Sequence, residues 1–505
     1  MKSVPLSALL AALPGCTVRG DVRRTITGIA YHSNRVQPGF LFAAIHGTRH
    51  DGHAFVPEAL RRGAVALLVQ QPVAAPLQVP QILVADTRAA LGALAAAFYG
   101  HPAEALTVIG VTGTNGKGVT TFFIDAILKG AGYRSAIIGT MGAWTPGGFV
   151  ETDRTTPEAP DLQRLLAGLR DQGVTHVAME VASHALALHR VHGTRFRVAV
   201  FTNLTPDHLD FHGTWEAYLE AKRRLFALVD PRGWSVINAD DPAGEEMARA
   251  SRAPVRRYAG QRGWLSAPPG VDLWAEEVVL GLEGCTFRAT TSQGSCPVRL
   301  PIGGAFNVAN ALAALATGLA LEIPLEVGAA ALETVRGVPG RFEPVREGQD
   351  FAVIVDYAHT PDGLENVLRT ARQITRGRVI VVFGCGGDRD RAKRPLMGRL
   401  AAELADFAVV TSDNPRSEEP RAIIEEILQG VRATGEGLRR ARVAVEPDRR
   451  AAIHCAVSTA TTGDVVIIAG KGHETTQEVL GVRHPFDDRV VAREALRARR
   501  GCAAP

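Results

Sequence analysis

Cysteine is scarce in this sequence of 505 residues, which contains only six. No two of them form a CxxC pair, and none has a histidine neighbour at the spacing of a zinc finger. This distribution excludes a disulfide framework and a zinc module, and it is typical of reduced, mostly buried thiols in a cytoplasmic protein. The six positions are Cys16, Cys285, Cys296, Cys385, Cys455 and Cys502.

Long apolar runs and a strong excess of one charge are also absent. No stretch reaches the roughly 18 apolar residues that a transmembrane helix needs, so we expect no membrane span. The net charge of +4 is small for this length and the basic residues are scattered, so we expect no nucleic-acid groove. We therefore predict a cytoplasmic protein, and we expect a monomer.

The amino-terminal stretch MKSVPLSALLAALPGC allows two interpretations. It has some features of a lipoprotein export signal that ends at Cys16, but its apolar run is short and contains Pro5 and Ser7. The leucines at positions 6, 9, 10 and 13 have the spacing of one helix face, and Pro14 would end that helix. The spacing therefore favours a short amphipathic helix over an export signal.

The length and the alternation of apolar runs predict an α/β protein with three domains. Residues 1–98 combine short apolar runs with turns rich in glycine and proline, which is typical of a small α/β domain. Residues 99–337 alternate strand, loop and helix, which predicts a doubly wound parallel sheet. Residues 338–505 repeat that alternation and predict a Rossmann-like domain. We expect the ligands at the carboxyl ends of the strands of both sheets.

One expected hydroxyl is missing from a loop of the central domain. The stretch GVTGTNGKGVTTFF, residues 110–123, lies between a predicted strand and a predicted helix. Its backbone N–H groups predict a phosphate-binding loop (P-loop), with Lys117 reaching the terminal phosphates. Such loops usually place serine or threonine directly after the lysine to bind magnesium. Here Gly118 follows Lys117, so one protein ligand of the metal is absent.

Two later loops of the central domain carry acidic and imidazole groups. Glu180 ends an apolar strand in AMEVASHAL, with Ser183 and His184 in the loop that follows. Such groups are costly to bury unless they bind something, and they suit magnesium and phosphate chemistry. Two alternatives stay open: Glu180 as a helix cap or surface carboxylate, and the aspartates of the next loop as ordinary turn residues. The candidates in that next loop and its helix are Asp207, His208, Asp210, His212 and Lys222.

Strand ends of the last domain carry two arginines and a carboxylate. Arg389 in GCGGDRDRAKRP and Arg416 in TSDNPRSEEP both follow apolar strands. There each guanidinium can bind a carboxylate through two hydrogen bonds, although exposed salt bridges are the alternative. GKGHE adds Gly470 and Glu474, and the Glu474 carboxylate can meet a substrate ammonium. Together these groups indicate a site for an amino acid that carries both a negative carboxylate and a positive ammonium group.

The motifs, taken in chain order, resemble those of the Mur ligase family over residues 25–490. The resemblance implies a UDP-substrate-binding domain (1–98), a central ATP-binding P-loop domain (99–337) and a C-terminal domain that closes on ATP and the amino acid (338–505). It also implies a reaction of peptidoglycan biosynthesis. ATP would activate a carboxylate of UDP-N-acetylmuramoyl-L-alanyl-D-glutamate as an acyl phosphate, which the amine of meso-diaminopimelate attacks, with magnesium as cofactor. The motifs are GTNGK, MEVASHAL, TNLTPDHLDFHG, FNVAN, VDYAHTPD, GCGGDRDRAKRP, DNPR and GKGHE.

The resemblance also implies roles for individual residues. The catalytic residues would be Lys117, Glu180, His208 and Lys222. Magnesium would be held by Glu180, His208 and a carbamylated Lys222, whereas an unmodified Lys222 would be a plain surface lysine of a helix. Contacts to ATP would come from Gly113, Thr114, Asn115, Gly116, Lys117, Asn307, Arg341, Asp356 and His359. Contacts to the UDP substrate would come from Ser33, Asn34, Thr155, Thr156, Ser183 and Arg190. Contacts to diaminopimelate would come from Arg389, Asp413, Asn414, Arg416, Gly470 and Glu474.

The sequence departs from the family pattern at Gly118, at Ala182, which replaces a serine, and at Leu188, which replaces a frequent glutamine. Folylpolyglutamate synthases have glycine after the P-loop lysine and serine one place later, where this chain has Val119. Thr120, Thr121 or a water molecule could supply the missing oxygen, since magnesium often keeps several waters. We expect a working ligase with an altered metal shell. The alternatives are a folylpolyglutamate-type ligase and a catalytically impaired paralogue that binds the UDP precursor.

Overall fold

The structure of the protein is a computed structural model that describes residues 3–47, 50–76, 78–260, 269–435 and 437–502. Of the cysteines, Cys285, Cys296 and Cys385 are buried free thiols, Cys16 is half-buried and Cys455 is exposed. The side chain of Cys502, which we expected to be a reduced thiol, lies outside the described residues. Among the described helices, none is long and apolar enough to cross a membrane.

The amino-terminal segment forms a five-stranded sheet in the order β2-β7-β6-β5-β4, with a separate pair, β1 and β3. Leu6 and Leu9 of the first helix are buried, as the leucine spacing predicts, but this helix ends at Leu10, so the expectation that it extends to Pro14 is wrong. The strands are β1 Val4–Pro5, β2 Thr17–Arg19, β3 Thr25–Ile26, β4 Gly28–Ala30, β5 Phe40–Ala43, β6 Ala66–Val69 and β7 Gln81–Leu83. The helices are α1 Leu6–Leu10, α2 Val56–Arg61 and α3 Thr87–Tyr99, with 3₁₀ turns at Ser33–Arg35 and Gly52–Phe55.

The central segment forms an eleven-stranded sheet in the order β11-β10-β9-β12-β8-β13-β14-β15-β16-β17-β18. The strands from β9 to β16 in this order are parallel, and antiparallel strands extend both edges. The strands are β8 Thr107–Thr112, β9 Ser135–Gly139, β10 Gly142–Thr145, β11 Gly148–Val150, β12 His176–Glu180, β13 Phe196–Phe201, β14 Val229–Asn238, β15 Val255–Ala259, β16 Leu273–Gly281, β17 Gly284–Thr291 and β18 Gly294–Leu300. The helices are α4 Pro102–Ala105, α5 Lys117–Gly130, α6 Ala159–Asp171, α7 Ser183–Ala187, α8 Leu209–His212, α9 Trp215–Ala227, α10 Gly244–Ala250, α11 Ala305–Ala320 and α12 Leu325–Glu333.

Helices cover both faces of the central sheet, as a doubly wound fold requires. On one face, Phe123 and Ile127 of α5 share a core with Leu312 of the alanine-rich helix α11, whose small side chains permit close packing. On the other face, Leu162 of α6 packs in a second core with Phe226 of α9. Between their first and last residues β8 and β12 are apolar, so their polar side chains lie at the two ends of each strand.

The C-terminal segment forms a six-stranded sheet in the order β19-β20-β24-β21-β22-β23, parallel except for β19. The fold class predicted from the sequence, an α/β protein with a central P-loop sheet and a Rossmann-like C-terminal domain, is confirmed, whereas the boundaries at 98/99 and 337/338 stay predictions. The strands are β19 Glu343–Pro344, β20 Ala352–Asp356, β21 Val379–Phe383, β22 Phe407–Val410, β23 Arg442–Val445, β24 Val465–Ala469, β25 Thr476–Val479 and β26 Val482–Pro485. The helices are α13 Pro361–Ile374, α14 Lys393–Leu404, α15 Pro420–Ala433, α16 Arg449–Thr459 and α17 Asp488–Cys502.

Short elements occupy several places that the sequence suggested were loops. Ser183 and His184 begin the helix α7, and His212 ends the helix α8, instead of lying in loops. The one-turn helix α4, in the stretch HPAEA of residues 101–105, was not predicted either. Such short helices lack the repeated apolar spacing by which longer helices are recognised. The β25–β26 hairpin and the strand β23 were not predicted.

Direct hydrogen bonds join the segments. The hydroxyl of Tyr31 donates to Oδ2 of Asp161 at 2.5 Å, which links the amino-terminal segment to α6. On the opposite side, Nδ2 of Asn115 in the P-loop donates to Oδ2 of Asp362 in α13 at 2.6 Å. The C-terminal segment therefore contacts the P-loop itself. We expect a functional site in the space between the central and C-terminal sheets.

Candidate functional site

The P-loop connects β8 to α5 and depends on two glycines with positive φ. A Cβ atom on Gly113 would lie 1.9 Å from Oγ1 of Thr202, and one on Gly116 would lie 2.4 Å from Oδ1 of Asn310. Gly116, with φ of 83°, is the N-cap of α5, so the first free N–H groups of that helix open into the loop. The loop is therefore shaped as an anion cradle at a helix N-terminus.

Lys117 is folded back onto this loop. Its Nζ donates to the carbonyl oxygens of Gly113 at 2.9 Å and of Thr114 at 2.8 Å. Burial lowers the pKa of Lys117, an effect that the nearby carboxylates of Glu180 and Asp207 oppose. An ammonium that is held among carbonyls at the mouth of the cradle has one hydrogen left for an incoming phosphate oxygen.

Gly118 faces Glu180. A Cβ atom at position 118 would lie 3.4 Å from Oε1 of Glu180, which is ordinary van der Waals contact. The two threonines that could replace the missing hydroxyl are fully buried and occupied elsewhere: Oγ1 of Thr120 donates to Oδ1 of Asn310 at 3.3 Å, and Oγ1 of Thr121 donates to the Gly118 carbonyl at 2.7 Å. Because both threonines are fully buried, a water molecule is favoured as the source of the missing oxygen, and that source stays a prediction.

Glu180 ends β12 and is 3% exposed. Oε1 accepts a hydrogen bond from the backbone N of Thr140 at 2.8 Å, and Oε2 accepts one from Oγ1 of Thr140 at 3.3 Å. A Cβ atom on Gly139 would lie 2.3 Å from Oε1, so this glycine makes room for the carboxylate. The carboxylate is thus buried and held beside the P-loop, which excludes the alternative of a surface carboxylate.

His208 and Asp207 form a close pair at the start of α8, in which the Asp207 side chain is 7% exposed and the His208 side chain is 38% exposed. His208 has a φ of 56°, and its Nε2 lies 3.3 Å from Oδ2 of Asp207. Burial lowers the pKa of His208 to about 3, against the opposing effect of the Asp207 carboxylate. The ring centroid of His184 lies 4.7 Å from that of His208. The imidazole is therefore neutral near pH 7 and keeps a lone pair for a ligand.

Lys222 of α9 is 1% exposed, so the interpretation as a plain surface lysine is wrong. Its Nζ donates to the carbonyl oxygen of Gly113 at 2.8 Å and lies 4.5 Å from the centroid of the Tyr218 ring. Burial, assisted by the positive charge of Lys117, lowers the pKa of Lys222 well below its usual value. Such an environment favours the neutral amine, which is the form that can react with carbon dioxide.

Within the described parts of the chain, no group of three or more histidine, cysteine, aspartate or glutamate side chains is arranged to hold a metal ion. Magnesium does not require such a group, since it keeps several waters and binds through one or two carboxylates together with substrate phosphates. The Glu180 carboxylate beside the open space at Gly118 fits that manner of binding. The residues present therefore fit a magnesium ion that completes its shell with water and phosphate oxygens.

A first cavity lies between the central and C-terminal sheets next to the P-loop. Asp356, which ends β20, accepts hydrogen bonds from the backbone N of Phe342 and of Ala358 at 2.7 and 2.8 Å, and burial raises its pKa. The guanidinium of Arg341 lies 4.3 Å from the centroid of the Tyr357 ring. The cavity is lined by Asn115, Gly116, Gly118, Asn310, Arg341, Asp356, Asp362 and Asn366, among others.

Asn307, an expected ATP contact, does not line this cavity. It is fully buried, its Nδ2 donates to the Gly303 carbonyl at 2.7 Å, and its Oδ1 accepts from Nδ2 of Asn310 at 3.0 Å. Asn310, one helical turn later in α11, lines the cavity in its place. The motif FNVAN contains both asparagines, and the three-residue spacing alone does not say which of the two faces the ligand.

A second cavity adjoins the first and brings together predicted residues from both larger domains. Its lining includes Thr114, Lys117, Thr155, Glu180, Asp207, His208, His359, Arg389, Asp413, Asn414, Arg416, Gly470 and Glu474. The P-loop, the strand ends of the central sheet and the strand ends of the C-terminal sheet thus face one another across one space. This arrangement can hold a phosphate, a carboxylate and a zwitterionic amino acid at the same time.

Arg389 and Arg416 lie close together at one end of the second cavity. Burial lowers the pKa of Arg389. The repulsion between its guanidinium group and that of Arg416 lowers this pKa further. Nη1 of Arg416 donates to the Gly387 carbonyl at 2.7 Å, and the backbone of Arg416 has a φ of 52°. Two adjacent cations without a described carboxylate between them are suited to an anionic ligand.

Acidic groups lie at the same end of the cavity. Asp413 is 8% exposed, and its Oδ1 accepts from the backbone N of Asn414 at 2.7 Å, whereas Oδ2 is buried without a hydrogen-bond partner. A Cβ atom on Gly470 would lie 2.4 Å from that oxygen, so only glycine fits there. Oε2 of Glu474 accepts from Lys471 and Asn414. An unpartnered buried carboxylate oxygen is suited to a ligand ammonium.

The residues expected to contact a UDP substrate are mostly engaged with other protein groups. The hydroxyl of Ser33 donates to Oε2 of Glu58, and the buried hydroxyl of Thr156 donates to the Glu180 carbonyl. Arg190, 7% exposed, forms an ion pair with Glu158 at 3.0 Å. Of the expected set, only Thr155 lines the second cavity; those outside both cavities are Ser33, Asn34, Thr156, Ser183 and Arg190.

Comparison with protein families matches three segments of the chain. Residues 25–99 match the model described as Mur ligase family, catalytic domain, residues 111–318 the Mur ligase middle domain, and residues 340–472 the Mur ligase, glutamate ligase domain. The UDP-N-acetylmuramoyl-L-alanyl-D-glutamate--2,6-diaminopimelate ligase of Syntrophomonas wolfei is 47% identical over 482 residues, covering 95% of this chain and 96% of that protein. The ligase of the same name from Geobacillus kaustophilus is 46% identical over 500 residues, covering 98% and 99%.

Solved structures agree with these matches. A structure of a UDP-N-acetylmuramoyl-L-alanyl-D-glutamate--2,6-diaminopimelate ligase has a TM-score of 0.68 and 33% identity, and it covers 98% of this chain and 99% of its own. A Mycobacterium tuberculosis folylpolyglutamate synthase bound to ADP has a TM-score of 0.58 and 20% identity, and it covers 74% of this chain and 90% of its own. The second likeness concerns the fold alone.

Proposed function

The chain belongs to the Mur ligase family of ATP-dependent ligases, and from that premise we propose how its two adjoining cavities carry out the reaction. The reaction adds meso-diaminopimelate to UDP-N-acetylmuramoyl-L-alanyl-D-glutamate, a step of peptidoglycan biosynthesis. The side-chain carboxylate of the D-glutamate attacks the γ-phosphate of ATP, which gives an acyl phosphate and ADP. The amine of diaminopimelate then attacks the acyl carbon, phosphate leaves, and an amide bond remains.

The observation that carries this proposal is the continuity of the site. The P-loop cation Lys117 and the buried carboxylate Glu180 line the same cavity as Arg416 and Glu474 of the C-terminal sheet. A transferred phosphate and an attacking amino acid must meet within one enclosed space, since the acyl phosphate would otherwise be lost to water. The juxtaposition of these four side chains provides that space.

The nucleotide has its own cavity beside the P-loop. ATP would bind with its phosphates on Thr114, Asn115, Gly116 and Lys117 and its nucleoside near Arg341, Asp356 and His359. Gly113 lines neither cavity and would act through its carbonyl, which holds Lys117. Asn310 would replace Asn307 as the direct contact of α11, because Asn307 lies behind it. Lys117 would neutralise charge between the phosphate and the attacking carboxylate, which is the main demand of phosphoryl transfer.

Magnesium is proposed as the cofactor. Glu180 and His208 would hold it, and a carbamate on Lys222 would add a further negative oxygen near the P-loop. When bound, the ion would offset the negative charge of the γ-phosphate. The neutral state that burial favours for Lys222 is what carbamate formation requires, since only an uncharged amine attacks carbon dioxide. Water in the space at Gly118 would take the place of the usual hydroxyl.

The amino acid would bind at the far end of the second cavity. The two adjacent guanidinium groups of Arg389 and Arg416 would hold its distal carboxylate, which is the group that L-lysine lacks. The buried, unpartnered Oδ2 of Asp413 and the carboxylate of Glu474 would receive the ammonium group at that same end of the molecule, which leaves the other amino group free to attack the acyl phosphate. Asn414 and Gly470 would complete the wall.

The UDP substrate would enter between the amino-terminal and central segments. Thr155 would contact its peptide end directly, and Thr156 and Arg190 would hold that wall through their bonds to Glu180 and Glu158. Ser33 and Asn34 stay predictions for the uridine end, as does Ser183 for the peptide end. Because its substrates are nucleotides of the cell interior, we propose that the protein acts in the cytoplasm, and we expect it to work as a monomer.

Phosphate release from ATP tests this proposal. The purified protein would be given magnesium and UDP-N-acetylmuramoyl-L-alanyl-D-glutamate, with meso-diaminopimelate, with L-lysine or without amino acid. We expect release that depends on both the UDP substrate and diaminopimelate. Binding of the UDP substrate without release under any condition would instead identify a catalytically impaired paralogue, the alternative that Gly118 raises. A folylpolyglutamate-type activity is not favoured, because relatives of the ligase match the chain over its whole length.

A further inference from the structure

Lys471 lies behind the amino-acid end of the second cavity and is fully buried. Its Nζ donates to three acceptors: Oδ1 of Asn414 at 3.0 Å, Oε2 of Glu474 at 2.9 Å and the carbonyl oxygen of Thr476 at 2.7 Å. Asn414 and Glu474 line the cavity, whereas Lys471 does not. Every hydrogen of this ammonium is used inside the protein, so Lys471 contacts two ligand-facing side chains without facing the ligand itself.

These contacts fix the orientation of the Asn414 amide. Oδ1 of Asn414 accepts from Lys471 and also from the backbone N of Glu478 at 3.0 Å. With two donors on Oδ1, the Nδ2 group must point the other way, and there it donates to Oε2 of Glu474 at 2.8 Å. The reversed amide would place its NH₂ group against an ammonium and an N–H group, which is unfavourable.

The same contacts orient the Glu474 carboxylate. Both of its donors, Lys471 and Asn414, take Oε2, and no described residue donates to Oε1. The carboxylate is therefore held by one oxygen, and the other is the one available to a ligand in the cavity. A buried ammonium at 2.9 Å also supplies the countercharge that a partly buried carboxylate needs.

The β25–β26 hairpin completes this arrangement. Its first strand begins at Thr476, which receives the third hydrogen of Lys471. Nε2 of Gln477 donates to the Asp413 carbonyl at 2.8 Å, and the Glu478 carbonyl accepts from the backbone N of Arg416 at 3.0 Å. The hairpin thus fastens the loop that carries the predicted amino-acid contacts to the strand end that carries Lys471.

We propose that Lys471 and the base of the β25–β26 hairpin form a brace that positions Asn414, Glu474 and Arg416 for the amino-acid substrate. Lys471 is then a positioning residue, because it acts through the side chains that it holds. It supports the binding of the amino acid and not the binding of ATP. This inference rests on the proposed function, because it assumes that the second cavity receives an amino acid.

Replacing Lys471 by methionine tests the brace, since Lys471→Met keeps an unbranched chain of similar length and removes the three donated hydrogen bonds. We expect the KM for meso-diaminopimelate to rise about 10- to 100-fold, with the KM for ATP changed less than about twofold. Lys129→Met is the matched control, because Lys129 is a largely exposed lysine paired with Asp125 on α5, and it should leave both values unchanged. An unchanged KM for diaminopimelate in Lys471→Met would overturn the proposal.

A double-mutant cycle separates positioning from a general loss of structure. If Lys471 acts through Glu474, Lys471→Met should raise the KM for diaminopimelate much less in a Glu474→Gln background than in the unaltered protein. Additive effects of the two changes would contradict a positioning role. If Lys471→Met fails to fold, Gln477→Ala tests the brace in its place. This change removes the hydrogen bond from Gln477 to the Asp413 carbonyl and leaves no buried charge unpaired. It should raise the same KM about threefold to tenfold, and no change would overturn the proposal.

The unaltered protein serves as the reference in every assay. If the unaltered protein releases no phosphate in response to diaminopimelate, the proposed function itself is wrong, and the failure does not come from the Lys471 brace. If it does release phosphate and Lys471→Met behaves as the unaltered protein does, the brace alone fails.

Discussion

Gly118 and Glu180 face each other beside the P-loop, with 3.4 Å between Oε1 of Glu180 and the position that a Cβ on residue 118 would take. This distance leaves a gap with room for a Cβ atom at the point where P-loops usually carry a hydroxyl-bearing side chain. The neighbouring hydroxyls of Thr120 and Thr121 are directed elsewhere, so the gap can be filled by water.

Introducing serine at position 118 should therefore change activity little. The Cβ of Gly118→Ser meets Glu180 at an ordinary contact distance, and water already supplies the oxygen in our account. We expect kcat at saturating magnesium to change by less than about threefold, with half-maximal activity at a lower magnesium concentration. Gly118→Ala is the control, because it adds the same Cβ without the hydroxyl. A gain of about 100-fold in kcat for the serine variant alone would mean that the native loop is impaired.

The bond between Asn115 and Asp362 should support nucleotide binding. It joins the P-loop to α13 at 2.6 Å, and both residues line the first cavity. We expect Asp362→Ala to raise the KM for ATP about tenfold, since a hydrogen bond to a partly buried carboxylate that closes the cavity is lost. The KM for diaminopimelate should change less. Glu365→Ala, on the same helix and paired with Arg369 near the surface, should leave the KM for ATP as it is.

Arg416 should decide between amino acids. We expect Arg416→Lys to reduce the preference for meso-diaminopimelate over L-lysine, measured as the ratio of kcat/KM values, by about 10- to 100-fold. A lysine cannot offer two parallel hydrogen bonds to a carboxylate, and the paired cation Arg389 would remain. Arg421→Lys, at an exposed position of α15, provides the comparison. Equal preference ratios for Arg416→Lys and the unaltered protein would contradict the proposed contact.

Stability should fall as the pH falls from 7 towards 4. Burial lowers the pKa of His359 and of His473 to about 4, well below the usual value near 6.5. Below pH 6.5 the unfolded chain takes up protons that the folded chain refuses, so the folded state loses stability until the folded pKa is passed. We expect His473→Gln to flatten the decline of the free energy of unfolding between pH 6.5 and 4.5. An identical pH profile for the variant would show that His473 is not buried in its neutral form.

The ion pair between Arg449 and Asp488 should matter more for stability than a neighbouring surface pair. Both of its side chains are fully buried, and Nη2 of Arg449 lies 2.7 Å from Oδ2 of Asp488. We expect Asp488→Asn to cost about 3 to 5 kcal/mol in the free energy of unfolding, since it leaves a buried guanidinium without its countercharge. Glu494→Gln, which breaks the exposed pair of Arg450 and Glu494 between the same two helices, should cost less than about 1 kcal/mol. Denaturant unfolding of both variants checks the difference.

Much of the fold could be predicted from the sequence because many strands of its two parallel sheets are apolar and several of its long helices keep a regular apolar spacing. The ends of the strands β8, β12, β22 and β24 could be recognised in this way. The loops that follow these strands, which line the second cavity, could therefore be recognised as well. The short helices α7 and α8 were not, because one turn of helix carries no periodic signal.

The directions in which individual side chains point could not be predicted from the sequence. The motif FNVAN contains two asparagines, and only packing against the P-loop decides that Asn310 and not Asn307 lines the first cavity. The burial of Lys222 depends on contacts with Gly113, which is more than a hundred residues away in the chain. Lys471 is one residue from a predicted contact, yet its role depends on which way its side chain points.

The most direct measurement is the ratio of phosphate released to UDP-tripeptide formed by the unaltered protein, with magnesium, ATP, the UDP-dipeptide and meso-diaminopimelate. Phosphate would be followed continuously, and the tripeptide would be quantified by mass spectrometry in the same samples. We expect one phosphate for each amide bond, and no release when diaminopimelate is omitted. Phosphate release without tripeptide, or binding of the UDP-dipeptide with neither product, would contradict the claim that a chain with Gly118 in its P-loop is a working ligase.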